Sequence, residues 1–454
     1  MRRCLLLAVA ALVMLNATRA YGQVSTPGRL YRGLFGGNTG NAVWSQSLIF
    51  RAGLGAGYDW GLFVGNSATS GQPAGNQLVS SPFQHGNVGL EYSLSKSRFG
   101  ISASADAAAS HYPTLSRPTL PSYQGQVSAA AQPWSRTSLR ATYQTTFQPF
   151  YETAWSPSQF GGQQAGPLIY AGQGLNGLLE NHTRANTIVG FQQGLSRRVT
   201  FSLNYERQTN HSEVAVRELD GQIGRASLTL ALFRGLGVRA GYSVAEYRYG
   251  RSATTGASPS GSTAYRHENF DGGLYFNRGL SLSRGQMTLS FNTGLAAMQT
   301  GEQRQYRVVG TANLSRDFGR RRTGSINLLY DRGFTFHESF GLPASTDRLA
   351  LNVGTMPNRR VRLDSSAGVV RGHVGIVQTS GGGFENYFTR SGALFGLSRN
   401  LGLGVDYSFI AYRYDSGIAL AVGPTGRGSR HVVRLNLNLW APIFQTRGRT
   451  NVTR

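Results

Sequence analysis

Val199-Thr-Phe-Ser-Leu-Asn-Tyr205 decides the fold class of this chain. Val199, Phe201, Leu203 and Tyr205 fall on one side of an alternation, and Thr200, Ser202 and Asn204 fall on the other. Successive side chains of a β-strand point to opposite faces, so a period of two marks a strand with one apolar and one polar face. Met287-Thr-Leu-Ser-Phe-Asn-Thr-Gly-Leu295 repeats the scheme, as does Val433-Arg-Leu-Asn-Leu-Asn-Leu439. Helical spacing is absent outside the first twenty residues.

Working outward from these segments, the alternation gives eighteen candidate strands, the first over 48–60 and the last over 429–444. Several exceed the roughly 5–6 residues usual in soluble sheets. They reach the roughly 9–11 that a tilted strand needs to cross a bilayer. Their connections alternate in length. Turns at Lys96-Ser97, Ser135-Arg136, Arg197-Arg198, Arg234 to Gly237, Arg284 to Gln286, Gly319 to Arg322, Arg359-Arg360 and Asn400-Leu401 are short. Most of the connections between them are longer, notably 61–84, 153–182, 251–267 and 416–428, although those near 214–217 and 301–304 are short.

The composition fits such a chain. The 454 residues include 60 Gly and 15 Pro, too few for a low-complexity sequence, and 11% aromatics, too many for ordinary disorder. Charged residues are 15%, yet 45 are basic against 21 acidic, and Lys96 is the single lysine. The one cysteine, Cys4, stands in the leader, which excludes a disulfide framework. Residues 1–20 carry a basic start (Arg2, Arg3), an apolar run from Cys4 to Leu15 and a small residue, Ala20, at the expected cut. This reads as a secretory signal peptide. No later stretch is apolar for long enough to be a transmembrane helix.

Long two-faced strands, alternating turn lengths and an export signal together resemble a bacterial outer-membrane β-barrel, in the size class of porins and polymer-export channels. No family-specific motif accompanies the resemblance. It implies an all-β fold: a transmembrane antiparallel up-and-down barrel of about 18 strands, in the bacterial outer membrane. The expected organisation is a signal peptide (1–20), a short periplasmic segment (21–47), the barrel (48–444) and a basic tail (445–454). Outer-membrane lipid, lipopolysaccharide and the barrel-assembly machinery are the implied partners.

A ring of this size is too wide for its own side chains to fill, so the polar face is expected inside and the apolar face against lipid. An aromatic girdle is expected from Tyr58, Trp60, Tyr151, Tyr205, Phe334, Phe336 and Tyr414 toward the loops, and from Phe99, Trp134, Phe318 and Trp440 toward the turns. Parity assigns Arg51, Arg140, Arg225, Arg239, Arg348, Arg362 and Arg434 to the lumen, with Glu91, Asp106, Asp364 and Asp406. These eleven are the pore-lining candidates. Asp59, Glu206 and Asp331 share that parity. Arg51, Arg140, Arg239 and Arg362 lie near the periplasmic ends of their strands and suggest a basic mouth that draws anions. Cross-strand pairing that braces the wall is the competing reading. Arg207, Arg332 and Arg413 come out facing lipid near the top, where lipopolysaccharide phosphates would meet them. Arg278 comes out facing lipid at mid-depth unless a bulge at Asn277-Arg278-Gly279 turns it inward.

Other chemistry finds little support. The eight His fall at expected strand ends or loops, and none has metal-ligand spacing with Asp, Glu or Cys. No nucleophile elbow or phosphate-binding glycine loop stands in its strand–turn–helix setting. No enzyme activity, metal, cofactor or nucleic-acid partner is therefore expected. Residues 61–84 and 153–179 contain no charge, and the second of these loops is read either as folding into the pore or as a surface loop. The leading expectation is a passive channel for hydrophilic, preferentially anionic solutes. Two alternatives remain open: an export channel for an anionic exopolysaccharide served by a periplasmic delivery partner, and a non-conducting structural or adhesive barrel.

Overall fold

The structure is a computed structural model. It describes residues 44–448 except 66–75, 116–118, 149–181, 213–217, 234, 251–262, 283–284, 301–302, 319–323, 338–341, 359, 375–381 and 416–426. Eighteen strands follow one another without a helix among the described residues. In order they are β1 (Trp44–Gly65), β2 (Asn76–Lys96), β3 (Phe99–His111), β4 (Thr119–Trp134), β5 (Thr137–Gln148) and β6 (His182–Gly194). Then come β7 (Val199–Ser212), β8 (Glu218–Phe233), β9 (Leu236–Gly250), β10 (Thr263–Leu282), β11 (Gly285–Thr300) and β12 (Gln303–Phe318). The last six are β13 (Gly324–His337), β14 (Leu342–Asn358), β15 (Val361–Val374), β16 (Gly383–Gly396), β17 (Leu401–Tyr414) and β18 (Arg427–Gly448). Each strand pairs antiparallel with its neighbours in sequence, and β1 pairs with β18 to close the ring. The fold is an up-and-down barrel with every backbone edge taken up, as a bilayer demands.

The two faces are inverted relative to a soluble barrel. On β18, Leu435 and Leu437 are 50% and 43% exposed, whereas Arg434 and Asn436 between them are 6% and 4% exposed. On β1, Leu54 is 71% exposed and Asp59 is not exposed at all. The apolar face is therefore the outside of the ring and the polar face the inside, the arrangement of a transmembrane β-barrel of the outer-membrane type.

Glycine explains how aromatic rings can sit on the inner face without standing across the lumen. Gly57 is directly opposite Phe83, Gly221 opposite Tyr247, Gly368 opposite Phe388, Gly372 opposite Phe384 and Gly428 opposite Tyr412. In each pair the ring occupies the space that a Cβ on the glycine would need. The rings lie against the wall and bury themselves there: Phe83 is 2% exposed and Phe384 4%. Ala344, Ala350 and Val370 complete an apolar cluster with Phe384, Phe388 and Tyr412 on the β14–β17 wall.

Several sequence expectations change. The barrel spans 44–448 instead of 48–444, so Gln445–Gly448 is strand and not tail, paired with Trp44–Ser47. The two ends extend each other because each supplies the other's missing hydrogen-bond partner. The uncharged loop read over 61–84 is mostly strand: β1 runs to Gly65 and β2 begins at Asn76, with Gly61 at φ 76° where the β1–β2 register shifts. His85 is consequently well inside β2, 5% exposed and opposite Gly55. Trp440 does not join an outer girdle. It shares the inward parity of Arg434 and Asn436, is 5% exposed, and packs with Leu394 and Met356. Tyr58, Trp60, Phe99, Trp134, Tyr205 and Phe318 are exposed, while the side chains of Tyr151, Phe334, Phe336 and Tyr414 lie outside the described residues. The irregularity of β10 falls between Glu268 and Tyr275, not at Asn277-Arg278-Gly279. The side chain of Arg278, residues 1–43, the loop 153–181 and the tail beyond Gly448 also lie outside the described residues.

Replacing Gly368 with Val forces its side chain against the Phe388 ring and the Leu349 carbonyl. Overpacking of this kind costs about 1–3 kcal/mol, so Gly368→Val should lower the midpoint of urea unfolding of the detergent-folded barrel. Gly224→Ala, where an added Cβ meets nothing within 4 Å, should leave that midpoint unchanged.

Candidate functional site

The inner face divides into two walls of different chemistry. One is built around β1, whose inward positions between Arg51 and Asp59 are all glycine: Gly53, Gly55 and Gly57. Side chains from both neighbouring strands fold into the space this leaves. Asn87 leans over Gly53, His85 and Asn436 over Gly55, and Phe83 over Gly57. The Arg434 guanidinium stands 5.4 Å over the Phe83 ring, within reach of a cation–π contact.

Charges on this wall meet opposite charges. Arg51 Nη2 is 2.7 Å from Glu91 Oε2. Arg362 donates from Nε and Nη2 to the two oxygens of Asp364, at 2.6 and 3.1 Å. Asp406 is 2% exposed, lies opposite Arg434 in register, and accepts a 2.7 Å bond from Asn436 Nδ2. Asp106 is opposite Gly89, which is itself opposite Arg51. Nearer the outer end, Arg430 donates to Asp59 from Nε and Nη2 at 2.9 and 2.5 Å, and the Tyr112 hydroxyl is 3.4 Å from the same carboxylate. Two weaker pairs continue this pattern elsewhere in the ring, Arg348–Asp331 at 3.6 Å and Arg225–Glu206 at 3.9 Å.

The other wall, formed mainly by β3–β12, encloses a cavity of about 800 Å³ beside the short turns. Its cations are Lys96, Arg98, Arg140 and Arg239, and no carboxylate stands among its described lining residues. Amides and hydroxyls surround them, including Gln132, Gln192, Asn204 and Asn292. Net positive charge on a concave surface raises the local concentration of anions, and the amides offer donors and acceptors to hydroxylated solutes.

All eleven pore-lining candidates occupy inward register positions, but they do not act as one group. Arg51 and Arg362, expected in a basic mouth with Arg140 and Arg239, each face a carboxylate, which leaves Arg140 and Arg239 in the cavity. Arg51–Glu91, Arg225, Arg348 and Arg362–Asp364 belong to pairs, and Arg434–Asp406 to the wall around β1. Arg184, Arg390 and Arg430 also hold inward positions that the sequence reading did not select. Parity was the available signal for them. Arg430 in particular is even-numbered like Arg434 on the same strand. On the outer face, Arg207 stands with Asp220 (3.3 Å), Arg332 with Asp347 (3.4 Å) and Arg371 with Glu385, so the upper exterior carries carboxylates as well as arginines. Among the described residues no cluster of three or more His, Cys, Asp or Glu could hold a metal ion.

No protein-family model matches this chain, and no curated protein matches it. Solved structures that it resembles include OpdQ of Pseudomonas aeruginosa, at 9% identity and a TM-score of 0.40, covering 88% of this chain and 98% of that one. OccK7 (OpdD) of the same organism gives 11% identity and a TM-score of 0.41, covering 88% and 99%. The siderophore receptor PirA, also from Pseudomonas aeruginosa, gives 10% and 0.37, covering 86% and 80%. Likeness at this level does not bear on substrate, and the fold stands on the chain's own pairing.

Arg430→Ala would leave the fully buried Asp59 carboxylate without its guanidinium. Removing one partner of a buried pair costs about 3–5 kcal/mol. The variant should therefore unfold at clearly lower urea than the parent barrel, while Arg140→Ala, in the cavity, should shift the midpoint far less.

Proposed function

We propose that this protein is an outer-membrane channel through which hydrophilic solutes pass down their gradient, with a preference for anions. The observation that carries the reading is the cavity beside the short turns, whose described lining holds Lys96, Arg98, Arg140 and Arg239 among amides and hydroxyls and includes no carboxylate. An 18-strand ring is wide enough to leave an aqueous lumen. Its inward carboxylates, where their contacts are described, mostly face arginines on the same or a neighbouring strand. In the same reading, the outward arginines at the top, Arg207, Arg332 and Arg413, meet phosphate-bearing lipid, with Asp220, Asp347 and Glu385 beside divalent cations that bridge such phosphates.

The test is single-channel current from the folded mature barrel in a planar bilayer under a salt gradient. Steady steps with an anion-leaning reversal potential are expected. Arg140→Gln combined with Arg239→Gln should move the reversal potential toward zero with conductance kept within about twofold. A folded barrel that passes no current, or a reversal potential indifferent to both substitutions, would sink the reading.

A further inference from the structure

The segment Tyr112–Leu115 follows β3 directly, at the outer end of the ring. β3 stops at His111, whereas β2 beside it runs on to Asn76, so the segment has a wall to lie against. Tyr112 and Leu115 are 3% and 7% exposed, and they cluster with Phe83 on β2, Leu120 on β4 and Val432 on β18. Phe83, Leu120 and Val432 all hold inward positions. The Tyr112 side chain therefore passes over the inner face of β2 to reach Asp59 on β1, about 10 Å of wall at the usual strand spacing. Its hold is specific. The Tyr112 ring stacks on Phe83 with centroids 5.0 Å apart, and its hydroxyl meets Asp59, which Arg430 clamps from β18. Pro113 and Thr114, between the two buried residues, are exposed and uncharged.

We infer that Tyr112–Leu115 is the constriction of the channel, a strap anchored on β2 and β1 that narrows the outer half of the lumen. Pro113 and Thr114 are the residues that a passing solute meets there. The inference rests on the channel reading above and refines it. An uncharged strap selects by size, and the cationic cavity at the other end selects by charge. Asp59 and Arg430 are positioning residues, since they hold Tyr112 and do not themselves face the passage.

Thr114→Cys places a thiol at the strap in a chain whose only other cysteine is Cys4. Reaction in the bilayer with an anionic and, separately, a cationic methanethiosulfonate should lower single-channel conductance by about a third or more, and the two adducts should shift the reversal potential in opposite directions. An adduct verified by mass that leaves conductance unchanged overturns the inference. Anchoring is read independently of current by maleimide labelling of Leu115→Cys. Labelling should be slow in the parent and faster by about tenfold or more with Asp59→Asn added, because local opening then becomes easier. Rapid labelling in both overturns the strap. No current from the parent or from Asp59→Asn, with slow labelling of Leu115→Cys retained in the parent, overturns the channel reading and the constriction with it, while leaving the strap in place.

Discussion

A strand in lipid has no water to satisfy its N–H and C=O groups, and that constraint organises this molecule. Each inner strand of an open sheet would be satisfied, but the first and the last would each leave a row of unpaired groups in hydrocarbon at several kcal/mol per group. The pairing of β1 with β18 removes both rows at once. Closure then fixes the rest. It forces the lumen on the polar face, turns the Leu and Val positions outward, and brings Asp59 on β1 beside Arg430 on β18 although 371 residues separate them.

Closure also makes the inner surface concave, and crowding there is relieved by glycine. The run Gly53, Gly55, Gly57 at the inward positions of β1 lets Asn87, His85, Phe83 and Asn436 bend across it from both sides. This is why His85 and Phe83 are buried in a ring that is otherwise wide. The same closeness keeps the charges of this wall within pairing distance. At 2.5–3.1 Å, Arg430–Asp59, Arg51–Glu91 and Arg362–Asp364 neutralise one another, and what they contribute is bracing of the wall. Arg140 and Arg239 stand on the opposite wall, where they line the cavity together with Gln, Asn, Ser and Thr side chains. The inner face thus uses one residue type in two ways, to brace one wall and to line the cavity on the other.

Much of this was legible before any tertiary contact was known. Thr200, Ser202 and Asn204 against Phe201, Leu203 and Tyr205 declare a two-faced strand, and repetition of that pattern along the chain gives the eighteen strands. Where the reading failed, it failed for local reasons. Trp440 was assigned by its nearness to a strand end, although its even position beside Arg434 and Asn436 marks it as inward. Residues 61–84 are rich in Gly, Ser, Asn and Pro, which lowers their local strand propensity. The pairing of β1 with β2 extends through 62–65 and 76–79 all the same, since a partner strand outweighs weak local propensity.

The sequence by itself determined the class of object, because a period of two, the strand length and the alternation of short and long connections are local quantities written along the chain. It determined which residues share a face for the same reason. Only the tertiary structure decided which inward charges meet. Pairing register between neighbouring strands, and above all between β1 and β18, depends on how the whole ring closes, and no local feature of Asp59, Tyr112 or Arg430 announces that the three converge. The separation of a braced wall from a cationic cavity, and the strap laid across the inner face, are therefore properties of the closed ring and not of any segment within it.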